Sequence, residues 1–359
     1  MLLSFVSQLK SRRKKNCRQN SNPKKSQICG GLVQKTVLWF HQIAEEPEMN
    51  DKITTLSGSE INPFCFGTMQ WGGKADPAAS ERLYHQCRDA GINHFDTAFS
   101  YCEGASETLL GVFCKAERDA LLIATKVGHV GGGGKTNLLS QFDQCQKRLK
   151  MDMVDVLYLH RFDPDTPIEE TLETLAELKQ NGKIRYIGVS NFSAWQGVDA
   201  LHHAKALGLN IDFFQPMYNL VKRQAEVEIL PMCAAKGITV AAYSPLGGGL
   251  LTGKYLRGEQ GRLIESEMYA ARYEPAFMRE AAKRLCDLAD ELGVNPATLA
   301  VAWVHAHPTK PMPIISASGA DQLAPSIKAM SFPLSEDLYN QISALSPTPP
   351  PATDRIEEA

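Results

Sequence analysis

The feature that most constrains this chain is a beat in its sequence. From residue 61 onward, short β-rich runs ("INPFCFGTM", "GINHFDTA", "ALLIATKV", "MVDVLYLH", "KIRYIGVS", "IDFFQPMY", "GITVAAYS", "PMPIISAS") alternate with helical stretches over residues 78–90, 106–115, 138–150, 168–180, 194–207 and 224–235. The first seven runs begin roughly 30 residues apart, the length of one strand-plus-helix unit. Eight such runs predict a single α/β domain over residues 53–345, a closed (β/α)8 TIM barrel. A doubly wound dinucleotide-binding sheet is the competing topology, but its G-x-G-x-x-G signature is missing. The first strand, "FCFGTMQWGG", does not carry it, and in "GGGLLTG" at 247–253 Thr252 falls where the last glycine belongs.

The eighth unit comes late. Between Leu246 and Pro311 stand a long Gly- and Arg-containing loop, a helix from about Pro275 to Leu292, and a second helix opening at Asn295-Pro296, with proline in the first helical position. A loop of that length inside a compact barrel is usually functional. Beyond Ser346, residues 346–359 read as a disordered tail.

A composition of 43% hydrophobic and 22% charged residues is that of an ordinary globular chain with a large core. No apolar run reaches the roughly 18 residues needed to cross a bilayer. Nine scattered cysteines, with no C-x-x-C and no histidine at ligand spacing, argue for a reducing compartment and no metal site. The net charge of −2 hides an asymmetry: residues 1–48 hold nine Lys and Arg against three acids. This basic extension has little hydrophobicity and no period, and is expected to be disordered. Three readings of it stay open: a transit peptide, a nucleic-acid or membrane arm, or a start placed too early, with "MNDKITTLSG" from Met49 as the natural beginning. The last is favoured.

The stretch "LLIATKVGHVGGGGKTN" at 121–137 has the outline of a phosphate-binding P-loop. The strict spacing needs glycine at 129, and His129 is there. The glycines are therefore read as a mobile rim loop, and attention moves to Lys126 at the end of the apolar run. In a parallel barrel the active site forms where strands end, so the polar residue closing each run is informative. In order these are Asp96, Lys126, His160, Asn191 after Ser190, Gln215, and Ser244 after Tyr243. Tyr101, five residues beyond Asp96, is placed to lean over the same mouth. A cation beside a phenol favours tyrosinate and eases loss of its proton; Asp96 can keep Lys126 charged, and neutral His160 can fix a carbonyl oxygen. Such a set is a general acid for a developing alkoxide, and the missing reductant suits a nicotinamide cofactor.

The motifs "FDTA" with "YCEGASETLLG", "LHRFDPDTPIEETLETLAELKQNGKIRYIGVSNF", "FFQPMYNL" and "YSPLGGGLLTGKY" resemble the aldo-keto reductases over about residues 53–330. The resemblance implies a tetrad of Asp96, Tyr101, Lys126 and His160, with Tyr101 as proton donor. It implies that Ser190, Asn191 and Gln215 hold the nicotinamide carboxamide and that Tyr243 stacks on the ring. Ser244, Leu246, Gly248 and Lys254 would cover the pyrophosphate, Thr68 and Met69 would line the cofactor, and Trp71 the substrate pocket. Two positions depart from the family pattern. Cys102 replaces the usual glycine after the tyrosine. Ser318 and Ser326 stand where arginine and asparagine are common, leaving Ser316, Ser318 and Gln322 as neutral donors toward a 2′-phosphate. The implied cofactor is NADPH, with NADH also possible. The implied activity is reduction of a small aldehyde or ketone, the alternative being a slow, cofactor-binding redox sensor or channel-associated subunit. No nucleic-acid or membrane partner is expected. The oligomeric state is open, a monomer included, and the location is read as cytoplasmic, or organellar if residues 1–48 direct import.

Overall fold

The computed structural model describes residues 52–355 together with Glu357; the basic extension at 1–48 lies outside them. Eight parallel strands close into a barrel in sequence order: β1 Cys65–Gly67, β2 His94–Asp96, β3 Leu122–Val127, β4 Val154–Leu159, β5 Ile184–Ser190, β6 Phe213–Gln215, β7 Thr239–Tyr243 and β8 Met312–Ile315. Closure is made by β8 against β1, with Cys65 opposite Ile314. Helices follow the strands: α1 Pro77–Asp89, α2 Ala105–Phe113, α3 Lys135–Leu149, α4 Ile168–Gln180, α5 Ala194–Ala206 and α6 Ile229–Lys236. Their starts are written locally. The Asp76 side chain accepts from Ala79 N ahead of Pro77, and Ser193 and Gln196 form a reciprocal capping box.

Strand period two decides the interior. Side chains on alternate residues point to opposite faces, so β3 buries Leu122 and Ala124 inside the barrel while Ile123 and Val127 pack outward under the helices. The inner layer consists of Cys65, Leu122, Ala124, Val156, Tyr158, Phe213, Ala241, Met312 and Ile314. Gly188 on β5 makes room for it, because a Cβ there would come within 2.3 Å of the Tyr158 ring. At the end where the strands begin, an antiparallel bridge between Thr54 and Glu60 brings Ile53 and Ile61 against this layer. Arg185 ties that segment down, donating to Thr54 O at 2.9 Å and to Asp155 at 2.8 Å.

Between β7 and β8 the expected loop is largely helical: a 3-10 turn at Gly247–Thr252, short helices α7 Arg262–Glu265 and α8 Glu267–Arg272, then α9 Ala276–Glu291 and α10 Pro296–Ala306. α10 opens at Pro296 as the sequence predicts, with the Asn295 side chain capping Ala297 N. After β8 come α11 Ala320–Lys328 and α12 Glu336–Ser343. Ser346, read as the start of the tail, is buried, and its carbonyl accepts from Arg223. No helix among the described residues is long and apolar enough to cross a membrane.

The glycine run at 131–134 differs from the expected mobile rim. Its amides and carbonyls are engaged by the chain's own side chains: Gly133 N donates to Asp163 at 2.7 Å, Thr171 donates to Gly133 O at 2.9 Å, and Asn137 donates to Gly132 O at 2.7 Å. The Asp163 carboxylate takes the amide that a phosphate would need. Lys135, the first residue of α3, pairs with Glu177.

Candidate active site

The polar groups that close the barrel strands continue the inward-facing parity of their strands. Asp96 follows His94, Lys126 follows Ala124, His160 follows Tyr158, Gln215 follows Phe213 and Tyr243 follows Ala241, each two residues on. The strand-end residues therefore converge at the mouth because the strands beneath them already face the axis.

At the centre is a buried ammonium. Lys126 Nζ donates to Asp96 Oδ2 at 2.5 Å, to Thr97 O at 2.7 Å and to the Tyr101 hydroxyl at 3.1 Å. An ammonium has three donors, and here all three are used. Burial alone would lower the Lys126 pKa, but the Asp96 carboxylate and the Tyr101 phenol outweigh it and the net shift is upward. The lysine is charged at neutral pH. Gln215 Nε2 donates to the other Asp96 oxygen at 3.0 Å, so both carboxylate oxygens are held. The Tyr101 pKa is raised, chiefly by burial, with Lys126 pulling against the rise. Lys126 acts in the direction the sequence suggests, but burial outweighs it, so the proton is held more tightly rather than eased, and the phenol keeps it through neutral pH. The His160 ring lies edge-on to Tyr101 with centroids 5.9 Å apart. Burial, followed by the Lys126 charge, lowers its pKa to about 2, so the ring is neutral.

Asp96, Tyr101, His160, Gln215 and Tyr243 border an open cavity of about 640 Å³ that also reaches Met69, Ser190, Asn191, Ser244, Leu246, Gly248, Lys254, Ser316, Ser318 and Gln322, while Lys126 lies buried behind Asp96 and Tyr101. At one end Tyr243 OH donates to Asn191 Oδ1 at 2.7 Å, and Asn191 Nδ2 donates to His160 O at 2.9 Å. Asn191 and Ser244 both adopt positive φ, 58° and 59°, turning the chain sharply where β5 and β7 end. At the far end Ser316 Oγ is buried without a partner, and Ser318 donates to Gln322 Oε1 through its amide and its hydroxyl. Gly248 and Gly249 are left-handed, and a Cβ on Gly248 would come within 3.0 Å of Leu263 and 3.2 Å of Tyr269. Leu263 and Tyr269 fill the space a side chain would take, so only glycine suits this turn, and Gly248 and Gly249 border the cavity through their backbone.

Residues 63–347 match the sequence profile of the Aldo/keto reductase family. The chain belongs to that family. It is 31% identical to an uncharacterised oxidoreductase, YrpG, of Bacillus subtilis (strain 168), over 82% of this chain and 94% of that one. It is 32% identical to a probable voltage-gated potassium channel subunit beta of Oryza sativa subsp. japonica, over 83% and 97% of the two chains. It is 30% identical to L-glyceraldehyde 3-phosphate reductase of Escherichia coli O157:H7, over 82% and 91%. As an aldo/keto reductase the protein is an oxidoreductase of the kind that reduces aldehydes and ketones.

Three residues that the family resemblance assigned to this aldo/keto reductase site lie elsewhere. Trp71 is fully buried in the layer between barrel and helices, its ring 5.4 Å from Phe66 and 5.6 Å from Phe113, and it does not border the cavity. After β1 the chain turns back, Trp71 N donating to Thr68 O, and this swings the indole outward into the apolar shell. Thr68 is also fully buried and spends its hydroxyl on Asp96 O; Met69, one residue on, is the one that meets the cavity. Ser326 is buried, away from the cavity, with its hydroxyl unpartnered. Cys102 has a φ of 46°, a conformation that suits the glycine usual in the family, and its thiol donates to Met69 O at 3.3 Å. Arg161, Tyr269 and Arg272 border the cavity from the segments after β4 and β7, and so do His129 and Lys74, for neither of which the sequence predicts a role in the site. Lys74 pairs with Glu265 of α7, linking the loop after β1 to the insertion after β7. Interior parity cannot find such residues, because they reach the mouth from loops and from the inserted helix α8.

Proposed function

We propose that this aldo/keto reductase reduces aldehydes or ketones to alcohols with NAD(P)H, with Tyr101 giving the proton. The observation that carries the reading is the triple contact of Lys126 Nζ with Asp96, Thr97 O and Tyr101 at the mouth of the cavity. When bound, the nicotinamide supplies the hydride that reaches the carbonyl carbon. The neutral His160 ring has an N–H to donate to the carbonyl oxygen, and Tyr101 has a proton to release to it as negative charge develops. Lys126, held charged by Asp96, favours the tyrosinate that remains.

The residues present fit a dinucleotide. Tyr243 offers a half-buried ring beside Asn191, Ser190 and Gln215; Asn191 Nδ2 now donates to the Ser190 hydroxyl, that hydroxyl to Gln215 O, and the Gln215 amide to Asp96, and these donors would exchange partners. At the other end the backbone of Gly248 and Gly249 borders the cavity and the unpartnered Ser316 hydroxyl offers a donor, with Lys254 near. The same site would serve a slow cofactor-binding subunit, as the likeness to a channel subunit beta suggests. Steady-state reduction of small aldehydes with each cofactor separates the two, and absence of turnover with both would overturn the reductase reading.

Cofactor choice turns on Ser318. A 2′-phosphate and an arginine form forked, charge-assisted hydrogen bonds that a serine hydroxyl does not match. Hydrogen bonds to charged groups contribute about 1.5–3 kcal/mol, so Ser318→Arg is expected to tighten NADPH by roughly 10- to 150-fold and leave NADH nearly unchanged. Fluorescence titration of both cofactors checks this. NADPH affinity unaltered by the substitution would mean that its phosphate is met elsewhere, for example by Lys254 or Arg262.

A further inference from the structure

The cavity holds more positive charge than the chain itself offsets. Lys74, Arg161, Lys254, Arg262 and Arg272 border it, against only two carboxylates, Asp96 and Glu265. Asp96 is engaged by Lys126, and Glu265 by Lys74. Arg161, Lys254, Arg262 and Arg272 are left, and none is in an ion pair among the described residues that border this cavity.

These four are not equivalent. Lys254 lies against the glycine turn, where a Cβ on Gly249 would come within 2.8 Å of its Cε, and Arg262 opens α7 just after Gly261. Both suit the phosphates of a dinucleotide. Arg272 belongs to the reaction end. It closes α8, and the next residue, Tyr273, is fully buried, so its backbone is anchored despite lying in a long insertion. Its guanidinium sits over the Tyr269 ring, 5.1 Å from the centroid, which steadies its plane. Tyr269 is near enough to Tyr101 to add to the rise in that phenol's pKa. Burial pushes the Tyr243 phenol up to about 12, and Arg272 pulls against it. Lys222 is a further cation nearby, its pKa lowered first by burial and then by Arg272. Lys222 itself lies over the Tyr273 ring and does not border the cavity, but like charges gathered along the cavity wall raise the energy of the empty site and favour an anion entering it. Arg161 directly follows His160 and adds a second guanidinium, in no ion pair though within the field of Asp163.

We propose that the carbonyl substrate of this site carries an anionic group, a carboxylate or a phosphate, and that Arg272 is the residue that binds it, with Arg161 contributing. The inference rests on the reading that Tyr101 and His160 take the carbonyl oxygen. A guanidinium presents two parallel N–H donors that match either oxyanion.

The test compares kcat/KM for 4-formylbenzoate with that for its methyl ester, and for glyceraldehyde 3-phosphate with that for glyceraldehyde. The wild type is expected to favour the anionic member of at least one pair by about 10- to 100-fold, and the pair with the larger ratio identifies carboxylate or phosphate. Arg272→Met should bring that ratio close to one, and Arg272→Lys should keep part of it. Calorimetric binding of benzoate and glycerol 3-phosphate to the NADP+-saturated protein gives a readout independent of turnover, and should weaken in the same Arg272→Met variant. Ratios near one in the wild type, or a ratio and anion binding that survive Arg272→Met, overturn the proposal. If neutral aldehydes are reduced without any anion preference, this inference falls and the reductase reading stands. If no substrate is turned over with either cofactor, the reductase reading falls, and the calorimetry still decides for or against Arg272.

Discussion

Replacing Tyr101 with Phe is expected to lower the rate of carbonyl reduction about 10²- to 10⁴-fold, the usual cost of removing a positioned general acid, while cofactor binding persists. The substitution deletes one oxygen. It leaves the ring that packs edge-on against His160 and leaves Lys126 with two of its three acceptors, Asp96 and Thr97 O. Folding is therefore little affected, and a fall in rate reports the lost proton. The pH dependence has a definite sign. Because burial raises the Tyr101 pKa above its ordinary value of about 10, the acid form is complete at neutral pH, and reduction should fall only as pH rises through that raised pKa. Single-turnover rates for wild type and Tyr101→Phe, with cofactor affinity measured alongside, check both points. Reduction by Tyr101→Phe within a few-fold of wild type would remove Tyr101 from the chemistry.

Lys126→Met is expected to cost both activity and stability. Lys126 and Asp96 are nearly inaccessible, with side-chain exposures of 0% and 3%. Removing one member of a buried ion pair leaves the other charge without its partner, at a typical cost of about 3–5 kcal/mol. Gln215 still donates to Asp96 and softens the loss, so the lower part of that range is expected. The double variant Lys126→Met, Asp96→Asn removes both charges and should recover much of the stability with none of the activity. Because the folded-state pKa of Lys126 is raised, its contribution is fully present below its unfolded pKa of about 10.4 and is lost only as pH rises through the higher folded value. On account of this group the wild type should show no loss of stability between pH 7 and 9. Denaturant unfolding of the three proteins tests this, and a Lys126→Met variant as stable as wild type would mean that water reaches Asp96.

Much of this could be read along the chain because it depends on local spacing. The strand period places inward residues two apart, so "ALLIATKV" already implies that Lys126 shares a face with Leu122 and Ala124, and "MVDVLYLH" that His160 shares one with Tyr158. The recurrence of such runs determines a barrel and puts their closing residues on one rim. Helix starts were equally local, since Asn295-Pro296 and Ser193 with Gln196 carry their caps within a few residues.

What the tertiary structure alone decided are contacts between segments distant in sequence, where no period operates. The resemblance implies a pocket role for Trp71, yet the turn at Thr68 sends it into the shell with Phe66 and Phe113. The run "GGGGK" reads as free backbone, yet Asp163, some 30 residues on, takes its amide. The third acceptor of Lys126 is a backbone carbonyl, which leaves no mark in a sequence. The unneutralised arginines at the mouth are visible only once the insertion after β7 is folded over the barrel, because whether a charge is paired depends on which carboxylates lie within reach, and that is a property of packing rather than of order along the chain.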